Sequence, residues 1–185
     1  MADSLYVFKI IIAGDSGVGK TTLVRRYVDG VFSPSKKATI GIDYFVKNVV
    51  LTVNGKDFQI ALQVWDLAGE EKYRTFLPSY IPGTNGFFYV YSEDIHDSLS
   101  YLDAFNTELA SLMKEKIPIL LIKAKKDLKE EFYKKNSIEE FMDKNGISEI
   151  IDTSSKTGEN VNASFQKIAE IIANEKGLFE RDVIN

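Results

Sequence analysis

A short segment near the start of the chain has residue types and spacing suited to binding phosphate. Residues 14–21 match the pattern Gly-x4-Gly-Lys-Ser/Thr at every fixed position. Glycine allows the backbone of such a turn to wrap closely around an anion, with several N–H groups pointing inward. The ammonium group of Lys20 would reach the outer phosphates, and the hydroxyl group of Thr21 would bind magnesium. The segment therefore predicts a site for phosphates and Mg²⁺, rather than a glycine-rich turn that binds nothing.

Three further polar segments follow apolar, strand-like runs. They are residues 66–69, 123–127 and 152–156. A parallel sheet places the carboxyl ends of its strands at one edge, and the ligands of such sheets bind there. We therefore expect these segments to converge with residues 14–21 on one nucleotide.

The pattern of apolar residues indicates the scaffold that would position these segments. Strand-like and helix-like runs alternate along nearly the whole chain. The predicted strands span residues 6–13, 42–53, 57–65, 86–91, 119–122 and 149–151, and the predicted helices span residues 22–28, 97–114, 137–144 and 160–174. This alternation predicts an α/β fold with a mostly parallel, six-stranded sheet and helices on both faces.

The connections between these elements carry signals of their own. Asn54 and Gly55 favour a tight hairpin between two strands, so one strand should be antiparallel. Gly146 is a favoured stop for the helix before it. Residues 70–83 read as irregular or weakly helical, which brings the number of helices to about five, and residues 129–136 read as a charged, solvated loop.

Length and composition restrict the class of protein. The 185 residues suit one domain over residues 1–185, with a core over about 5–175 and a tail over 176–185. The net charge of −4 is spread along the chain, so no basic surface for nucleic acid is expected. The chain has no cysteine, which fits a reducing compartment. We recognise neither a signal peptide nor a membrane-spanning run, and expect a soluble, cytoplasmic protein.

With these motifs in this order, the chain resembles the Ras superfamily of small GTPases, and within it the Rab branch most closely. The motifs are residues 14–21, residues 39–43 with the sequence Thr-Ile-Gly-Ile-Asp, and residues 65–69 with the sequence Trp-Asp-Leu-Ala-Gly. The resemblance extends over about residues 9–172. It implies a P-loop NTPase fold of the small G domain type, with GTP or GDP as ligand and Mg²⁺ as cofactor.

The resemblance also implies a role for each matching residue. The magnesium ligands would be Thr21 and Thr39, with Asp66 close by through a water. Thr39 would reach the metal, and the Gly69 amide would bond the γ-phosphate, only when GTP is bound, which makes a switch. The implied nucleotide-binding residues are Asp15, Ser16, Gly17, Val18, Gly19, Lys20, Thr21, Thr22, Phe32, Thr39, Gly69, Ala124, Lys125, Asp127, Ser154, Ser155 and Lys156.

The residues that would recognise the base match those of the family at all but one important position. Asp127 would take two hydrogen bonds from the edge of guanine, which adenine cannot supply, and the stem of Lys125 would cover the ring. The family places an asparagine where this chain has Ala124, and its loss should weaken nucleotide binding by ~1–3 kcal/mol. Phe32 either stacks on the base or packs locally.

The second departure from the family is at a position that matters for catalysis. After Gly69 the family places a glutamine that orients the attacking water, and this chain has Glu70. A carboxylate accepts hydrogen bonds but cannot donate one, and its charge would lie near that of the γ-phosphate. We therefore expect slow intrinsic hydrolysis, with Lys20 and Glu70 as the catalytic residues. Glu70 could instead act in another geometry, position an arginine from a partner, or be a solvated residue without a role.

Possible partners follow from the same resemblance. Tyr44, Trp65 and Tyr80 match the aromatic residues through which Rabs meet effectors, although half-buried sheet aromatics would fit the pattern equally well. GTPase-activating and exchange-factor regulators, and a monomeric state, are also implied. The last residues carry no cysteine, so this chain would lack the prenyl anchor of Rabs. Membrane association would then need a partner or a tail lost by truncation.

Three functions are compatible with these residues. The first is a Mg²⁺-dependent GTP switch that hydrolyses GTP slowly and recruits effectors through the loops around Thr39 and Gly69. The second is a scaffold that holds guanine nucleotide without hydrolysing it, because of Glu70. The third is a P-loop kinase or ATPase, which would prefer adenine and would contradict the role given to Asp127.

Overall fold

The structure is a computed structural model that describes residues 5–33, 38–53, 55–113, 115–128 and 132–178. The strands are β1 (Leu5–Ala13), β2 (Ile42–Val53), β3 (Lys56–Leu67), β4 (Gly86–Ser92), β5 (Ile119–Ala124) and β6 (Glu149–Asp152). The α-helices are α1 (Lys20–Asp29), α2 (Leu77–Tyr80), α3 (Ser98–Leu112), α4 (Lys135–Asn145) and α5 (Val161–Glu175), and a 3₁₀ segment (Glu71–Phe76) precedes α2.

The strands form one mixed sheet in the order β2-β3-β1-β4-β5-β6. Only the pairing of β2 with β3 is antiparallel among the described strand pairs. The register pairs Ile12 of β1 with Asp66 of β3, so both strands end at the same edge of the sheet. The predicted α/β fold, with a mostly parallel six-stranded sheet and helices on both faces, is confirmed.

Strand β4 is buried along its whole length, and its side chains alternate between two hydrophobic cores. Phe88 and Val90 pack on the face that α1 and α5 cover. Phe87, Tyr89 and Tyr91 pack on the opposite face, which residues of α2, α3 and α4 cover. A strand covered on both faces requires a continuous apolar run, which explains the sequence of β4.

Some predicted boundaries differ from those of the structure. Helix α4 begins at Lys135, two residues before its predicted start, so the predicted solvated loop was wrong for Lys135 and Asn136. The first turn of α4 is polar and the apolar pattern begins only at Ile138, so periodicity could not detect this turn. Residues 129–131 and the turn residue Asn54 lie outside the described residues.

Candidate nucleotide-binding site

The glycine loop over residues 14–19 connects β1 to α1 and surrounds the side chain of Lys20. Lys20 is buried, and its Nζ donates hydrogen bonds to the carbonyl oxygens of Gly14 at 2.7 Å and Asp15 at 2.8 Å. Gly17 and Gly19 have φ values of 81° and 105°, in the left-handed region that favours glycine. The loop thus folds back on the lysine and places it at the floor of a cavity.

Three side-chain oxygens meet beside this lysine. The Oγ1 of Thr21 donates a 2.5 Å hydrogen bond to Oδ2 of Asp66 and lies 2.8 Å from Oγ1 of Thr39. Asp66 is fully buried, and its Oδ1 has no hydrogen-bond partner among the described residues. Hydroxyl and carboxylate oxygens are ligands that Mg²⁺ accepts, directly or through its waters. These residues therefore fit a bound magnesium ion.

Burial disfavours the charged forms of both Asp66 and Lys20. Burial raises the pKa of Asp66 to about 6, against the hydrogen bond from Thr21 and the charge of Lys20. Burial also lowers the pKa of Lys20 to about 8, against the charges of Asp66 and Asp15. A phosphate next to the lysine and a cation next to the carboxylate would favour the charged forms of both groups.

The segment after β3 lies directly against the glycine loop. A Cβ atom built on Gly69 would lie 2.3 Å from the nitrogen of Ser16 and 2.5 Å from the carbonyl carbon of Asp15. A cavity of about 210 Å³ opens between these segments. Its lining residues are Ser16, Gly17, Gly19, Lys20, Thr21, Thr22, Ala38, Thr39, Gly69 and Glu70.

Glu70 lines this cavity but its carboxylate is engaged by a neighbour. Its Oε2 lies 2.6 Å from Nζ of Lys72, and 39% of the Glu70 side chain is exposed. The hydrogen bond to Glu70 raises the pKa of Lys72. Sequence reasoning missed Lys72, although an acidic residue two positions before a lysine was a visible signal.

A second cavity, of about 250 Å³, adjoins the first. Both cavities are lined by Gly17, Gly19 and Thr22, so they form one groove along the glycine loop. The remaining lining residues of the second cavity are Phe32, Ala124, Lys125, Asp127, Leu128, Ser155 and Lys156. The structure thus brings residues predicted to bind phosphate and residues predicted to bind the base to one groove.

Asp127 is held in place by the loop after β6. The Oγ of Ser154 donates a 2.6 Å hydrogen bond to Oδ1 of Asp127, and Nζ of Lys156 lies 3.9 Å from its Oδ2. Ser154 is fully buried. This places the carboxylate at the groove, where it could still accept hydrogen bonds from a ligand.

Two site residues that the sequence analysis did not single out follow β4. Asp94 pairs with Lys125, with 2.7 Å between Oδ2 and Nζ, and Glu93 pairs with Lys123, with 2.9 Å between Oε1 and Nζ. The rule that sites gather at the carboxyl ends of parallel strands applies to β4 as well, and could have identified them.

The aromatic residues predicted to meet partners form a cluster, and none of them lines either cavity of the groove. The ring centroids of Tyr44 and Trp65 are 5.5 Å apart, and those of Trp65 and Tyr80 are 6.0 Å apart. Phe76, which the sequence analysis did not name, lies 6.4 Å from Tyr80. Tyr44 and Phe76 are about half exposed, at 51% and 50%. The cluster therefore presents an aromatic surface to solvent.

The fold and this groove define a nucleotide-binding domain of the P-loop class. Comparison with known proteins narrows the class, because the family model described as the Ras family matches residues 9–174. The chain belongs to the Ras family. This membership supports a GTP-binding small GTPase switch.

Among the proteins whose sequences are similar to this chain are several Rab proteins. The human Ras-related protein Rab-3A is 33% identical over 167 residues, which cover 90% of this chain and 74% of the relative. The human Ras-related protein Rab-30 is 34% identical over 169 residues, covering 91% and 81%. The Ras-related protein Rab-3 of Caenorhabditis elegans is 34% identical over 170 residues, covering 92% and 76%. The predicted Rab-like character is thereby confirmed.

Within the described part of the chain, no helix combines the length and the apolar character that crossing a bilayer requires.

Proposed function

We propose that this protein is a Mg²⁺-dependent guanine-nucleotide switch that hydrolyses GTP slowly. The observation that carries the proposal is the meeting of Thr21, Thr39 and Asp66 next to buried Lys20, in a groove that continues to Asp127. One groove thereby holds groups suited to phosphates, to magnesium and to a base.

Phosphate would be bound next to the buried ammonium group of Lys20, and the metal next to the buried carboxylate of Asp66. Lys20 and the amides of residues 16–21 would bind the β- and γ-phosphates, and Thr21 and Asp66 would hold Mg²⁺, Asp66 through a water. Bound Mg²⁺ would neutralise phosphate charge as the γ-phosphoryl group is transferred to water. Thr39 and Gly69 come from segments outside the glycine loop, so loss of the γ-phosphate would release both segments.

Preference for guanine would come from the Asp127 carboxylate. Two acceptor oxygens match the two neighbouring N–H donors of guanine, whereas adenine offers no such pair. Lys125 and Phe32 line the same cavity and would contact the faces or edge of the ring. Ala124 offers only a methyl group there, so we expect weaker binding than an asparagine would give.

Slow hydrolysis would result from the charge of Glu70. A carboxylate near the γ-phosphate repels the developing charge and cannot donate a hydrogen bond to it. The ion pair with Lys72 is exposed and therefore weak, so it can open when nucleotide binds. The same residue supports a second candidate, a scaffold that binds guanine nucleotide without hydrolysing it.

A single-turnover assay separates these two candidates. Protein loaded with GTP in excess Mg²⁺ should form GDP slowly, and Glu70→Gln should increase the rate by about 3–10-fold. Glu71→Gln is the matched control, because its side chain is 82% exposed and lies outside the phosphate cavity. If the unaltered protein forms no GDP over hours whereas Glu70→Gln does, the scaffold replaces the switch.

The aromatic cluster would be the surface for protein effectors. Tyr44 lies on β2 and Trp65 on β3, so the cluster is continuous with the strands that lead to Thr39 and Gly69. Exposed aromatic side chains contribute strongly to protein interfaces. Movement of the two loops would change this surface and report the nucleotide state to effectors.

A further inference from the structure

Two consecutive carboxylates that follow β4 pair with one lysine in β5 and one lysine directly after it. The Asp94 carboxylate lies 2.7 Å from the Lys125 ammonium group, and these side chains are 25% and 28% exposed. Glu93 is only 6% exposed, and it pairs with Lys123 and accepts a 2.7 Å hydrogen bond from the backbone N–H of Tyr133. The end of β4 is therefore joined to the lysines on either side of Ala124.

Lys125 lies beside the glycine loop. A Cβ built on Gly19 would lie 3.9 Å from Cε of Lys125, and both residues line the second cavity of the groove. Lys125 also has a φ of 61°, a conformation uncommon for residues other than glycine. Its carbonyl accepts a 2.8 Å hydrogen bond from the N–H of Leu128, which closes the turn that carries Asp127.

The residue after Asp94 faces the glycine loop from the same side. A Cβ built on Gly17 would lie 3.8 Å from Cδ1 of Ile95, and Ile95 packs against the hydrophobic core that contains Val18 of the loop. The segment after β4 thus lies next to the loop suited to phosphate and, through Asp94, is paired with the loop suited to the base. Ala124 cannot link these loops by a hydrogen bond, because its side chain is a methyl group.

We infer that Asp94 is a positioning residue for nucleotide binding, because its ion pair with Lys125 holds the base-binding turn against the glycine loop. The inference rests on the proposed binding of guanine nucleotide to the groove. Asp94 itself lines neither cavity of the groove, so it acts through Lys125.

The charges needed for this ion pair are present at neutral pH. Burial by itself would raise the pKa of Asp94, but the hydrogen bond and charge of Lys125, together with hydrogen bonding to Ser92 and to the backbone, outweigh burial and leave that pKa lowered. A partly buried ion pair with a short hydrogen bond is stronger than an exposed one.

The test is the release of a fluorescent GDP analogue into excess unlabelled GDP at constant Mg²⁺. Asp94→Asn removes the charge at nearly constant size and should accelerate release by about 5–20-fold. Glu159→Gln is the matched control, because it removes a 2.7 Å ion pair with Lys126, which lies on the same turn but outside both cavities. This control should change release by less than about twofold.

A conservative variant distinguishes positioning from general stability. Asp94→Glu keeps the charge and should stay within about threefold of the unaltered rate, even if it lowers the melting temperature. In Ala124→Asn protein, where the amide supplies another link, Asp94→Asn should accelerate release less than it does with Ala124. Ion pairing also predicts that higher ionic strength accelerates release more from the unaltered protein than from Asp94→Asn, in which only the phosphate contacts remain sensitive to salt.

The outcomes separate this inference from the proposed function. If the unaltered protein binds guanine nucleotide and Asp94→Asn releases it no faster than Glu159→Gln does, the inference is wrong and the proposed function stands. If Asp94→Asn cannot be folded, the effect of ionic strength on release is compared between the unaltered protein and Ala124→Asn, which share the phosphate contacts. An equal effect of ionic strength in these two proteins would overturn the inference. If the unaltered protein binds no guanine nucleotide, the proposed function is wrong and the inference with it.

Discussion

Gly69 shows how the identity of one residue controls the approach of two loops. Its backbone packs on the backbone between Asp15 and Ser16, at a distance where a Cβ atom would be 2.3 Å from the nearest nitrogen. Neither neighbour is a flexible side chain, so a larger residue at this position must displace one of the two loops. The contact therefore requires glycine for lack of space.

We predict that Gly69→Ala weakens binding of a GTP analogue with little effect on GDP. The methyl group would push the segment after β3 away from the glycine loop, and the amide proposed to bond the γ-phosphate would move with it. Loss of one hydrogen bond to a charged group corresponds to about tenfold in affinity. Dissociation constants for GDP and for a non-hydrolysable GTP analogue would measure the difference.

Gly83→Ala provides the control for this substitution. Gly83 has a φ of 77°, and a Cβ atom there would meet no atom within 4 Å, so alanine costs backbone strain without a clash. Gly83→Ala should therefore change the affinity for GDP and the affinity for the GTP analogue by the same factor, if it changes them at all. Equal weakening of GDP and of the analogue by Gly69→Ala would contradict the role proposed for Gly69.

The residues around the groove differ in how far the sequence could predict them. Lys20 and Asp127 each belong to a short motif of neighbouring residues, so the local sequence was enough to predict them. Asp94 and Lys125 follow two different strands, and their pairing depends on the order of these strands in the sheet, which local patterns do not contain. The ion pair of Glu70 with Lys72 depends on the 3₁₀ turn that begins after Glu70, which the apolar pattern of the sequence does not predict.

At the scale of elements, α1 and α5 are joined by an aromatic stack. The rings of Tyr27 on α1 and Phe165 on α5 are 3.7 Å apart and nearly parallel. Phe165 also meets Phe88 of β4 edge-on, with centroids 4.8 Å apart. Phe165 is fully buried, so it links both helices to the centre of the sheet.

We predict that Phe165→Ala lowers the free energy of unfolding by about 3–5 kcal/mol, because it leaves a cavity between two helices and a strand. Urea denaturation of the protein with saturating nucleotide and Mg²⁺ would measure the loss. Asn162→Ala, at an exposed position of the same helix, should change the free energy by less than about 0.5 kcal/mol. A loss below about 1 kcal/mol for Phe165→Ala would contradict the packing described for α5.

The elements themselves could be predicted closely, because their signals are local. The predicted stop at Gly146 is confirmed, since this residue has a φ of 64° and follows the last residue of α4. The predicted hairpin is also confirmed, with β2 and β3 paired from Ile42 to Val53 and from Lys56 to Leu67. The polar first turn of α4 was missed, because its packing gives no apolar pattern.

At the scale of the whole molecule, the sheet order explains why distant segments form one groove. Strand β1 lies between β3 and β4, so the glycine loop is flanked by the segments after both strands. Strand β5 follows β4 in the sheet and carries Lys125 and Asp127 to the same edge. The sequence could predict that these strand ends converge, but the two adjoining cavities emerge only from the packed structure.

Binding of guanine nucleotide with Mg²⁺ in this groove can be tested by denaturing the purified protein. The released nucleotide is identified by chromatography and the released metal by elemental analysis. We predict GDP or GTP together with magnesium, each near one equivalent per chain, as expected for one groove of this kind. Release of ADP or ATP instead, or of no nucleotide from a folded protein, would contradict the account.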